Sequence, residues 1–113
     1  MNVMQRTRSL LQMLSFLVLM FVAFIVRADV SAARILELQH LIKHDCGSCH
    51  GMTLNGGLGP SLQAKSLRDK SDELLFVTIS EGRAGTPMPA WKSLLTENDI
   101  TVIINLLRNS KVN

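Results

Sequence analysis

Residues 46–50 read Cys-Gly-Ser-Cys-His and hold both cysteines of the chain and one of its three histidines. Two thiols and an imidazole packed so tightly must serve one centre, and the rest of the fold has to be arranged around it. Three chemistries use such a cluster, and each needs different companions. A structural zinc site takes four ligands, usually from two such pairs, and no second pair exists. His40 and His44 could complete a set, but both precede the motif on one helix in an unusual spacing. A redox-active dithiol normally sits in a βαβ context, and no segment shows sustained strand-like alternation. The third possibility, C-x-x-C-H as the attachment signature of c-type haem, requires no further cysteine.

The spacing suits that last chemistry. Two thiols add across the two vinyl groups of a porphyrin, the two intervening residues let the backbone arch between them, and the adjacent imidazole lies under the iron. Cys46 and Cys49 are therefore the expected covalent attachment points and His50 the expected proximal ligand. A methionine in the sixth position raises the potential and suits electron transfer. The candidates are Met52, Met88, His40 and His44. Met52 follows His50 by two residues, a reach of roughly 7 Å of extended chain, too short to carry its sulfur to the other haem face. His44 is held to the same ring edge, and His40 lies a turn earlier on its helix. Met88 is distant and sits between Pro87 and Pro89, which stiffen its loop; it is the expected axial ligand. Ligand histidines commonly donate their second N–H to a fixed acceptor. Gly59-Pro60 is suited to offer a carbonyl, although Pro60 read alone is better taken as just a turn residue.

The hydrophobic content of 47% is unevenly spread. Much of it lies in Leu10 to Val26, preceded by Arg6 and Arg8, with no acidic residue before Asp29. Basic start, apolar run and the small residues Val26 and Ala28 match a secretory signal peptide over residues 1–28. An uncleaved anchor is the alternative, the run being at the lower limit for spanning a bilayer. Either way residues 29–113 are expected to be exported, to the periplasm. Removing Arg6, Arg8 and Arg27 from the 12 Lys+Arg leaves nine against nine Asp+Glu. The basic balance thus belongs to the leader, and nucleic-acid binding is excluded as a reading. Beyond the leader the only aromatics are Phe76 and Trp91. That is thin for a domain of this size, and a buried cofactor would supply the missing apolar mass.

The remainder reads as all-α. Ser31 is a fair N-cap for a helix running into the cysteine motif, with Ile35, Leu38, Leu41 and Ile42 on one face. Gly51 to Pro60 must be loop. Ser71 caps a second helix that buries Leu75, Phe76 and Ile79 and ends at Gly82. Gly82 to Trp91 is a second loop, followed by a short turn. Thr96 with Asp99 nearly matches a capping box, and Ile100, Ile103, Ile104 and Leu107 repeat at i, i+3, i+4 and i+7.

The joint set "CGSCHG", "GPSL", "GTPMPAW" and a closing amphipathic helix resembles the class I cytochromes c. Among these it is most similar to the small NirC-type cytochromes c encoded with cytochrome-cd nitrite reductases in denitrifying bacteria. The likeness covers essentially all of residues 29–113. It implies three main helices around one covalently attached haem, the first and last crossing, with the Pro60 carbonyl bonded to His50. It places Trp91, and with less reason Arg83, beside the haem propionates; simple core packing of Trp91 and a solvated Arg83 are the alternatives. The implied role is a monomeric one-electron carrier, not an enzyme. Its transient partners would be nitrite reductase or a maturation protein for the d-type haem, with a membrane involved only if the leader stays attached. The rival function is a haem protein with a labile distal site, acting as a peroxidase or gas sensor.

Overall fold

The computed structural model describes the backbone of residues 3–112 and the side chains of residues 4–21 and 32–112. Every described segment is helix, turn or loop, and no strand occurs among the described residues. Helix α1 covers Val3–Leu41, a π-helical turn Ile42–Cys46, α2 Gly47–His50, α3 Ala64–Leu67, α4 Asp72–Glu81 and α5 Glu97–Arg108. The chain divides into two compact units, Met1–Arg34 and Ile35–Asn113.

In the first unit the described side chains of residues 4–21 are all exposed. Among the described residues no helix is long and apolar enough to cross a membrane. The expected cleavage point after Ala28 falls within residues 22–31, whose side chains lie outside the described ones. The helix expected to begin at Ser31 does not begin there: Ser31 is interior to α1. The first glycine is Gly47 and the first proline Pro60, so the full chain contains nothing that would stop the helix earlier.

The second unit is built from caps and one apolar cluster. The Ser71 hydroxyl accepts from the Leu74 N–H at 3.1 Å and opens α4; Gly82, at φ +69°, closes it in a conformation that favours glycine. At α5 the capping box is complete: Thr96 Oγ1 accepts from the Asp99 N–H at 3.2 Å, and Asp99 Oδ2 accepts from the Thr96 N–H at 2.9 Å. The stripe behind that cap, Ile100, Ile103, Ile104, Leu106 and Leu107, is buried. Leu38, Ile42, Leu54, Leu67 and Leu95 complete the core, and Phe76, Ile79 and Trp91 pack against it half-buried. Ile35, expected on the same face, is 40% exposed, one turn beyond Leu38 and the core's edge.

Helix α5 packs on α4 and on α3. Arg108, at the end of α5, does more than complement the helix dipole. Its guanidinium donates to Asp72 Oδ1 at 2.6 Å, to the Leu67 carbonyl at 3.1 Å and to the Lys70 carbonyl at 2.5 Å. One side chain thus ties the α3–α4 connection to the last helix. Gln39, near the end of α1, donates to the Lys111 carbonyl at 2.6 Å beyond α5.

Candidate functional site

The cysteine–histidine cluster occupies the π turn and α2. The sequence predicts a helix running evenly into Cys46; instead the Gly47 N–H reaches back to the Ile42 carbonyl, widening the turn by one residue. The wider turn starts at the fully buried Ile42 and ends at Cys46. Cys46 and Cys49 are free thiols, both half-buried. Burial pushes the Cys46 thiol up to about 11, and the neighbouring Asp45 carboxylate pushes the same way. Ser48, inside the motif, donates to the Asp45 carbonyl at 2.7 Å and lies 3.9 Å from the Cys49 sulfur.

Loop 51–60 folds back over the end of α2. Gly51 turns the chain at φ +88°, and a Cβ there would come within 2.6 Å of the Gly56 carbonyl oxygen. The carbonyls that α2 leaves open are then satisfied from the loop: Gly59 N–H donates to Cys49 O and Gly56 N–H to His50 O, each at 2.8 Å. This return brings Pro60 to His50. The imidazole Nδ1 lies 2.6 Å from the Pro60 carbonyl oxygen. A carbonyl only accepts, so Nδ1 carries a hydrogen, which leaves Nε2 as the ring nitrogen available to a ligand. Gly59 presses on the same ring, where a Cβ would stand 2.7 Å from both Nδ1 and Cε1. The ring is held by a hydrogen bond and by contact with the backbone.

The second loop turns on Gly82 and returns along α4. Met88 O accepts from the Arg83 N–H at 3.2 Å, and the Met88 N–H points to Thr86 Oγ1 at 3.4 Å. Trp91 and Lys92 N–H groups cap the Ile79 and Ser80 carbonyls at 3.1 and 3.2 Å. These bonds fix the Met88 backbone and leave its half-buried thioether unused by them. Trp91 packs against the core. Arg83 is exposed, and Lys92 is engaged with Glu81 at 2.6 Å.

The geometry therefore joins His50 to Pro60 and sets the two thiols beside them on one short helical stretch. Met88 and Trp91 belong to a separate loop anchored on α4. Sequence reasoning missed the pressure of Gly59 on the imidazole and the π turn. The first could have been sought in a glycine next to the candidate carbonyl acceptor; the second has no compositional signal. A covalently attached porphyrin fits this donor set: two thiols at attachment spacing, an imidazole of fixed tautomer with Nε2 free, and a glycine where any side chain would displace the ring.

Comparison with known proteins agrees with this chemistry. Residues 33–107 match the family model described as cytochrome C oxidase, cbb3-type, subunit III. Cytochrome c55X of Stutzerimonas stutzeri is 45% identical over 80 residues, covering 71% of each chain. The solved structure of the c-type cytochrome NirC is 44% identical with a TM-score of 0.70, covering 72% of this chain and 95% of that one. Dihydro-heme d1 dehydrogenase NirN, solved in complex with DHE, is 28% identical with a TM-score of 0.57 over 61% of this chain and 15% of its own. The imidazole held by Pro60 beside two thiols at C-x-x-C-H spacing and these overlapping matches lead to one conclusion: the chain belongs to the c-type cytochromes, with cytochrome c55X and NirC among its relatives.

Proposed function

We propose that this protein is a periplasmic one-electron carrier with a single haem c, attached through Cys46 and Cys49 and ligated by His50 and Met88. When bound, the haem iron supplies the chemistry, alternating between ferrous and ferric. The observation that carries the reading is the 2.6 Å contact between His50 Nδ1 and the Pro60 carbonyl. It directs Nε2 toward a ligand role and holds the ring against rotation, so that electron transfer would require little rearrangement. Met88 supports the reading from the other loop: flanking prolines and the Arg83 N–H hold its backbone, which favours a weak thioether bond. Residues 1–28 serve as the export signal, and the domain proper is residues 29–113, its first and last helices crossing beside the haem.

Likeness to NirC, and at lower identity to NirN, a dihydro-heme d1 dehydrogenase, supports a place in the nitrite reductase pathway. The carrier would exchange electrons there with the reductase or with the proteins that mature its d-type haem. Partners would meet it as a monomer and briefly, over a small patch at the haem edge. Trp91 would border the propionates.

Oxidised-state spectroscopy tests the ligation. The wild-type protein should show the sulfur–iron charge-transfer band, and Met88→Ala should lose it and fall in midpoint potential. Unchanged spectra in Met88→Ala would remove Met88 from the iron and favour a labile distal site, with peroxidase or gas-sensing chemistry.

A further inference from the structure

His40 and His44 have no part in the proposed haem site, yet the fold sets them together. They stand one turn apart, His40 in the last turn of α1 and His44 in the π turn. Their rings lie with centroids 4.2 Å apart and planes inclined by 37°. Both side chains are exposed, while Leu38 and Ile42 from the same stretch are buried in the core. The buried pair fixes how this stretch of helix is turned, and the two imidazoles share a face open to solvent.

We propose that His40 and His44 form a surface site for a divalent transition metal ion of the imidazole-preferring class, such as Zn²⁺, Ni²⁺ or Cu²⁺. Histidines at i and i+4 on a helix are a recurrent metal-binding pair because one turn brings both rings over the same point. The observed separation is close to what a chelate needs. Two imidazoles bound to one ion through Zn–N bonds of 2.0–2.1 Å at the tetrahedral angle have ring centroids roughly 5 Å apart. Closing on an ion therefore takes a small rotation of each ring. Among the described residues no group of three or more His, Cys, Asp or Glu side chains converges on one point. Water completes the coordination, and the ion is exchangeable rather than structural. His50, the third histidine, is held through Nδ1 to Pro60 and assigned to the haem iron in the proposed function, so a second metal ion has only this imidazole pair.

Calorimetric titration of the haem-loaded ferric protein with Zn²⁺, at a pH above the imidazole range, tests the proposal. One equivalent should bind. His40→Gln or His44→Gln should each weaken binding roughly tenfold or more, since each removes one of two protein ligands. The double variant should abolish it, and Lys43→Ala should leave it intact. The haem absorption spectrum of each variant reports that the fold is retained. No binding to the wild type would overturn the site, as would a double variant that binds Zn²⁺ like the wild type.

Discussion

Replacing Gly59 with alanine would place a methyl carbon 2.7 Å from Nδ1 and Cε1 of His50 and 3.2 Å from Nε2. Gly59 is not among the residues of positive φ, so alanine suffers no backbone strain there and the perturbation is steric. Non-bonded carbons relax to about 3.5 Å, so ring or loop must retreat by roughly 0.8 Å. A retreat of that size along the His50–Pro60 axis carries the 2.6 Å contact past the useful range of a hydrogen bond. Losing that bond costs about 1 kcal/mol, and forcing an extra methyl into a packed site adds about 1–3 kcal/mol. The expected loss is therefore about 2–4 kcal/mol, read from denaturant unfolding of the haem-loaded protein at unchanged m-value. A second readout separates this mechanism from generic damage. An Nδ1–H donated to a carbonyl makes the imidazole a stronger donor and favours ferric iron, so Gly59→Ala should raise the midpoint potential. Gly85 provides the control: φ is +76° and a methyl group there would have no neighbour within 4 Å, so alanine meets strain without a clash. Gly85→Ala should cost about 1–2 kcal/mol and leave the potential where it was. Equal potentials in the two variants, or a Gly59→Ala protein within about 0.5 kcal/mol of wild type, would refute the role assigned to the 59–60 turn.

Arg108→Ala should destabilise by about 2 kcal/mol, because two carbonyls lose a charged donor. Asp72→Ala should cost less than about 1 kcal/mol, since its carboxylate is 70% exposed and exposed ion pairs contribute little; equal losses would mean that the ion pair dominates. Thr96→Ala should remove half of the capping box and cost about 1 kcal/mol by thermal unfolding. With only Phe76 and Trp91 as aromatics in residues 29–113, the haem-free chain is expected to be largely unfolded. Thiols alkylate as thiolates, so a Cys49→Ser chain lacking haem should alkylate at Cys46 with a midpoint near the ordinary 9.0; a midpoint near about 11 would show that the fold persists without haem. A thiol pKa raised in the folded state means that the haem-free fold loses stability as pH climbs from 9.0 to about 11.

Features written in neighbouring residues are the ones legible in the sequence. Ser71, Gly82, Thr96 and Asp99 act on backbone atoms a few positions away, and the Ile100-to-Leu107 stripe needs only helical period to find the core. The cysteine–histidine cluster can be read because its chemistry depends on spacing alone. Arg108 reads locally as a cation at a helix end; its partners Leu67, Lys70 and Asp72 lie 36 to 41 residues earlier, and no local pattern encodes such a contact. The π turn at Ile42–Cys46 leaves no trace in the sequence because its residues are ordinary for an α-helix. Ser31 reads as a helix start only in a chain cut before Asp29; in the full chain no glycine or proline interrupts the helix there.

Mass measurement on the denatured protein, produced in cells that mature c-type cytochromes and treated with an alkylating reagent, examines the attachment on which everything else rests. The chain should keep the added mass of one haem with Cys46 and Cys49 both resistant to alkylation. A chain of bare polypeptide mass carrying two alkyl groups would contradict it.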